Sequence, residues 1–389
     1  MFVKLLTNIF FYAILITYLV TNKGFNMDKN TDHFYSFPAI RGTQAGREYY
    51  VSLCPLGLVN KIFKFDEETL NPELRAQRTL NKARIPEIAR YINENQDNYV
   101  FSAITASIDG DVKFTVINNE PENSKNGFLR IDMTSKIIVN DGQHRRAAIE
   151  MALQDDSSVA HETIAIVFFI DRGLKRSQQM FADLNRHAIR PSRSLGLLYD
   201  HRNDMSQIAR LVALSSKSFK GLVDLEKSTL SERSKKLFTL SAIYSSCQAL
   251  LDPKVHDDQE AASKLCIRFW DEVAKYMPDW DLVRKGKATS GEIRKDYLHS
   301  HGIGLQAIAI AGSQLITEYP NHWAEKITPL RKIDWSRSGD SIWEGRAMLN
   351  GKIIKSGQHL KLTSNLIKTK LQLTLSPEEK LLEESLKRK

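Results

Sequence analysis

Hydrophobic and polar positions follow one rhythm over roughly the first half of the chain and another over the second. Phe34 to Ala39 and Glu48 to Leu53 read as short strands punctuated by Gly42, Gly46 and Pro55. Asn71-Pro72 and Pro86 are suited to open helices, and Ile85, Ile88 and Tyr91 mark one apolar face. Tyr99 to Ile108 (YVFSAITASI) is rich in β-branched and aromatic residues and predicts a strand. Asp109-Gly110 then predicts a tight turn, with Val112 to Val116 as hairpin partner. Asn118 to Asn126 reads as a polar loop. Ile137-Ile138-Val139 predicts a strand that runs directly into Asp141-Gly142, and a helical pattern follows from Gln143 through Ala147, Ala148, Ile149 and Met151. Ile164 to Ile170 (IAIVFFI) predicts a buried strand, and a helix follows from about Leu174 to Leu184.

Past about residue 195 the spacing becomes helical. Helices are predicted over Ser206–Leu214, Ser234–Leu250, Glu260–Met277 and Ile303–Tyr319. A last one is predicted from Ser376, where Ser376, Pro377 and Glu379 form a local start signal. A single strand is predicted late, over Ile353–Leu362. The pattern thus predicts a mixed-sheet α/β (α+β) domain over residues 27–200, followed by a mainly helical domain over 201–389.

Composition changes this picture little: 42% hydrophobic and 26% charged residues are ordinary for a globular chain of 389 residues. Charge adds more. A formal net charge of +9 favours acidic partners such as nucleic acid or anionic lipid. Cys54, Cys247 and Cys266 have no CxxC spacing and no neighbouring histidine cluster, which argues against a disulfide scaffold and a structural zinc site and fits a reducing cytoplasm. No metal site is predicted. Leu5 to Val20 is nearly all apolar, but short for a membrane span of about 17–25 residues. Met27-Asp-Lys-Asn resembles an ordinary soluble start, so residues 1–26 are expected to be an upstream mis-start, with a membrane anchor as the rival. Starting at Met27 removes only Lys4 and Lys23 among charged residues before it, so the basic character survives.

The segment with chemistry in it is Ile137-Ile-Val-Asn-Asp-Gly-Gln-His-Arg-Arg-Ala-Ala. Gly142 permits a tight turn or a close backbone approach. The first N–H groups of the following helix lack partners within it, and its dipole places partial positive charge there. Gly142, Gln143, Arg145 and Arg146 therefore form a candidate phosphate or nucleotide site, with Asp141 free to cap the helix or to hold a metal that bridges to phosphate. A second patch comprises Asn185, Arg186, Arg190 and Arg193, where planar guanidinium forks suit phosphate or DNA backbone. Cooperation between Asn185 and the Gly142 turn requires the Ile164–Ile170 strand to lie beside Ile137–Val139. Lys235 and Lys236, in Ser231–Leu237, are further candidates for DNA contact at a helix start, although a solvated amphipathic helix accounts for them as well. There is no zinc-finger spacing and no clear helix-turn-helix pattern.

Asp141-Gly142-Gln143-His144-Arg145 is the DGQHR motif, and the wider chain, from about Met27 to Leu375, resembles the DndB family associated with bacterial DNA phosphorothioate modification. The supporting stretches are Gln77–Leu80, Arg84-Ile85-Pro86, Phe181–Arg186 followed by Pro191-Ser192, Trp343–Met348 and Leu362–Thr369. The resemblance implies a ParB/sulfiredoxin-like N-terminal domain and a promoter-binding transcriptional repressor of the modification genes, with DNA as partner. Other modification proteins and a second copy of the chain are compatible partners. An enzymatic role is the less expected one. As an alternative, the turn would serve a nucleotide hydrolase or DNA nickase, with Asp141 and His144 catalytic and a nucleoside triphosphate with magnesium as cofactor. A non-catalytic interaction subunit is a third reading. ParB-like relatives contact nucleotide phosphates through Gly-Glu-Arg-Arg, whereas Gln143 follows the glycine here; sulfiredoxin-like relatives use a cysteine at the motif, and none stands here.

Overall fold

The computed structural model describes residues 33–63, 82–117, 125–172, 176–186, 191–251, 258–338 and 341–387. The chain divides into two compact units, up to Ala188 and from Ile189.

The first unit is built on a seven-stranded mixed sheet in the order β4-β5-β1-β2-β7-β3-β6. The strands are β1 (Phe34–Gln44), β2 (Arg47–Pro55), β3 (Ile104–Asp109), β4 (Val112–Val116), β5 (Asn126–Asp132), β6 (Lys136–Asp141) and β7 (Thr163–Ile170). Between β1 and β2, Ala45 and Gly46 both take positive φ (49° and 73°), which matches the right-handed twist of the strands they join. Helices α1 (Leu56–Ile62), α2 (Ile85–Glu94), α3 (Gln143–Asp155) and α4 (Ser177–Arg186) accompany the sheet. The core lies where Ile104, Ala106 and Ile108 of β3, Ile166 and Phe168 of β7, and Ala148 and Ile149 of α3 meet, all fully buried.

Three sequence expectations about this sheet are overturned. Asp109-Gly110 does not close a hairpin: β4 pairs with β5, whereas β3 pairs with β6 and β7. The two strands differ in kind, because β3 is a central, buried strand that begins only at Ile104, while the partly exposed Val112–Val116 suits an edge. Asn126 is not loop but the first residue of β5, whose Leu129 and Ile131 are core residues. Nor does β7 lie beside β6. β3 takes the slot between them, parallel to β7 and antiparallel to β6, so the C-terminal ends of β6 and β7 point to opposite ends of the sheet. The juxtaposition of strand ends on which cooperation with Asn185 rested is therefore not formed.

The second unit is mainly helical: α5 (Arg193–Tyr199), α6 (Asp204–Ser215), α7 (Leu240–Leu250), α8 (Gln259–Ala274), α9 (Pro278–Arg284), α10 (Ser290–Asp296), α11 (Gly302–Glu318), α12 (Trp323–Lys326), α13 (Gly357–Lys370) and α14 (Pro377–Lys387). Its core gathers Phe219, Phe238, Phe269, Trp270, Trp280 and Trp343, all nearly or fully buried. Most expected helices are present, with two corrections. Ile353–Leu362 is not a strand. Only Lys352–Ile353 pairs, and α13 then starts because Ser356 Oγ accepts from the His359 N–H, after which Leu362, Thr363 and Ile367 are buried at helical spacing. Ser231–Leu237 does not begin a helix. It is a run of turns leading into Phe238–Thr239, and α7 begins at Leu240, capped by Thr239.

Among the described residues, no helix is long and apolar enough to cross a membrane. The apolar stretch from Leu5 to Val20 and the Asn71-Pro72 helix start lie outside the described residues.

Candidate functional site

The Asp141–Arg146 turn is set up by an irregularity in the strand before it. Asp141 pairs with Thr105 and Val139 with Ala106, so Asn140 is an extra residue in β6, a bulge. Bulges re-aim the following side chains and commonly stand next to functional turns. The Asn140 side chain is fully buried and satisfied on both sides. Its Nδ2 donates to Ser107 Oγ at 2.7 Å, and its Oδ1 accepts from Ser177 Oγ at 2.7 Å. Ser107 and Ser177 are themselves fully buried. Because Ser177 is the first residue of α4, this polar chain fastens the start of α4 to the end of β6.

Gly142 is the N-cap of α3 in the left-handed region, with φ 101° and no side-chain cap. A Cβ there would lie 3.0 Å from both Arg145 Nη2 and Ile104 Cγ1, so glycine is required by conformation and by space. The expectation that Asp141 caps the helix is not met. Its carboxylate pairs instead with Arg145 Nη2 at 2.8 Å, and the same nitrogen donates to Ala103 O at 3.0 Å. Arg145 Nε is buried with no partner among the described residues. Arg146 donates to Phe63 O at 3.1 Å and lies 3.7 Å from Glu150. Gln143 Nε2 reaches back to Val139 O at 3.2 Å. The two arginines thus brace the turn as well as charging it.

The first turn of α3 holds no acidic residue. His144 is half-buried, and its pKa is held below the ordinary histidine value by burial, then by the charges of Arg84 and Arg145, against the opposing pull of Asp141. Arg84 is exposed at the N-cap of α2, and nothing in its local sequence, Lys82-Ala83-Arg84-Ile85-Pro86, marks it as a neighbour of this turn. Asn140 and Ser177 were also missed. The available signal was a lone asparagine ending an Ile-Ile-Val strand.

The remaining candidates are spread out. The side chains of Asn185 and Arg186, at the far end of α4, and the whole of Arg190 lie outside the described residues. In the second unit, Arg193 opens α5, and its guanidinium sits 5.5 Å from the centre of the Tyr244 ring. Lys235 is exposed, whereas Lys236 Nζ donates to Gly221 O at 2.8 Å, which ties down its loop.

A family model described as DndB, DNA-sulfur modification-associated, matches residues 37–374, most of the chain. The chain belongs to the DndB family. Comparison with curated proteins and with solved structures returns no match. Membership places the chain in DNA sulfur modification systems, and the match spans the bulge, the turn and most of the helical unit. Two stretches that carried the DndB resemblance meet in the fold: Arg346 Nη1 donates to Leu362 O at 2.7 Å and also pairs with Glu383 of α14. The three cysteines are buried, and burial pushes the Cys54 thiol up to about 12, so that it is held as the unreactive thiol rather than the thiolate.

Proposed function

We propose that this DndB-family chain is a DNA-binding repressor of the modification genes, and that the Gly142 turn is where it meets DNA phosphates. The observation that carries this reading is the start of α3. A helix of 13 residues begins without a side-chain cap, its first turn holds His144, Arg145 and Arg146 with no acid, and exposed Arg84 adds a further cation. Positive charge at a helix N-terminus opposes the helix dipole, and the arrangement is relieved by an anion accepting from the free N–H groups. The net charge of +9 supports the same reading. Arg145 and Arg146, engaged with Asp141, Ala103, Phe63 and Glu150, hold the geometry and the field, while Arg84, exposed and with no hydrogen bond or ion pair of its side chain among the described residues, can move onto a phosphate.

Phosphate contacts of this kind give affinity that falls steeply with salt and specify no base by themselves. The test is electrophoretic mobility of a promoter fragment from the modification gene cluster, with a transcriptional reporter driven by the same fragment. The reading expects a retarded complex at low salt and lower reporter output when the protein is present. No complex at low salt overturns DNA binding; a complex with unchanged reporter output overturns repression.

A further inference from the structure

The second unit contains a cavity of about 390 Å³ that the DNA reading does not use. Its charged lining is of one sign: Arg294 and Lys355 project into it beside His301, and no carboxylate among the described residues lines it. Phe238, Ile303 and Ile353 give it an apolar wall. A cavity of this size with one apolar wall and a few convergent polar groups has the build of a small-ligand site.

None of the basic groups is neutralised by an acid. Arg294 donates only to the backbone carbonyls of Lys236, Ser231 and Glu232. Lys355 makes no hydrogen bond or ion pair among the described residues, and Arg193 is near enough for its charge, after partial desolvation, to lower the Lys355 pKa. Lys355 Nζ lies 3.9 Å from where a Cβ on Gly302 would be, over the first residue of the 17-residue α11. That helix has no side-chain cap, because the ring of its N-cap, His301, is turned to the carbonyl of Arg294, with Nε2 donating at 2.6 Å. An unpaired ammonium, a guanidinium and an uncapped helix start therefore converge on one cavity, and each is stabilised by the same partner, a bound anion.

We infer that this cavity binds a small phosphorylated ligand, up to a nucleoside monophosphate in size, with the phosphoryl group between Lys355, Arg294 and the first N–H groups of α11, and any ring against the Phe238–Ile303 wall. The site is separate from the Gly142 turn in sequence and in unit, and does not depend on the DNA reading.

Calorimetric titration of the full chain with inorganic phosphate and, separately, with adenosine 5′-monophosphate, in chloride of matched ionic strength, tests it. Saturable binding of at least one is expected. Lys355 is exposed, so Lys355→Ala leaves the fold intact; it is expected to weaken binding about 10-fold, with Lys355→Arg restoring part of the loss. Arg84→Ala is expected to titrate as the wild type does. Phosphate binding without any gain from the nucleotide identifies an inorganic phosphate site, and tighter nucleotide binding identifies a nucleotide site. The inference is overturned if neither probe binds, if Lys355→Ala binds as tightly as the wild type, or if Arg84→Ala alone abolishes binding.

Discussion

At the start of α3 the cations belong to the helix's own first turn, whereas at the start of α11 they come from outside the helix, Arg294 from the helix just before it and Lys355 from a segment distant in sequence. In the first case the fold supplies local restraints. Asp141 and Glu150 pair with the arginines, backbone carbonyls accept from them, and a left-handed glycine fixes the turn. In the second it supplies none of these for Lys355 and leaves a cavity beside it. The difference separates a charged turn that is rigid before any ligand arrives from a charged cavity whose balance is completed by one. It suits the two roles assigned to them: a surface that reads a polyanion, and a pocket that takes a small anion.

The comparison is tested most severely at the two glycines. Gly142→Val places a branched side chain at φ 101° against Ile104 and Arg145 and is expected to cost roughly 3 kcal/mol in urea unfolding. Gly302→Ala meets Ala242 Cβ at 3.3 Å and Lys355 Nζ at 3.9 Å, with ordinary helical backbone, and is expected to change stability by less than about 1 kcal/mol. Equal costs at the two positions would remove the distinction between a pinned start and an open one. Next in size is Asn140→Ala, which strands Ser107 Oγ in the interior, takes away the Asn140 acceptor of Ser177 Oγ, and is expected to cost about 2 kcal/mol by the same measurement.

The pH response sharpens the contrast further. His301 is lowered from 6.5 to about 4, by burial first, with Arg337, Arg294 and His299 adding repulsion and the hydrogen bond to Arg294 O opposing them. The folded state therefore binds this proton less readily than the unfolded chain. Stability is complete above pH 6.5 and falls as pH drops from there to about 4, by on the order of 2 kcal/mol. His144 is shifted the same way and contributes in the same direction. His301→Gln is expected to flatten most of this dependence in unfolding measurements between those limits; an unchanged pH profile would show that His301 is not the source.

The two sites were not equally legible in the sequence. The Gly142 turn could be found because its parts are consecutive: an apolar strand, glycine, then arginines at a helix start. Its bulge and polar chain could not, since Ser107, Asn140 and Ser177 come together only through pairing of β3 with β6 and packing of α4 on β6. The cavity at α11 left no comparable mark, because Lys355 reaches Gly302 and Arg294 only through tertiary packing. Strand order failed for the same reason. Alternation identifies strands but carries no information about which neighbour each takes, and Asp109-Gly110 looked like a hairpin turn although its two flanking strands lie apart in the sheet. At Ile353–Leu362, apolar spacing was ambiguous over a short window, and the Ser356 cap decided it for helix.

The smallest expected effect bears on the central claim. Arg84 is exposed, so Arg84→Ala should leave stability within about 0.5 kcal/mol of wild type. It should weaken promoter binding several-fold at low salt, by the removal of about one phosphate contact. The decisive measurement is the affinity for the promoter fragment as a function of salt, for wild type and Arg84→Ala side by side. The account predicts binding that declines log-linearly with salt, and a slope about 0.9 smaller in magnitude for the variant. Wild-type protein that fails to bind at low salt, or two slopes that coincide, would contradict DNA contact at this turn.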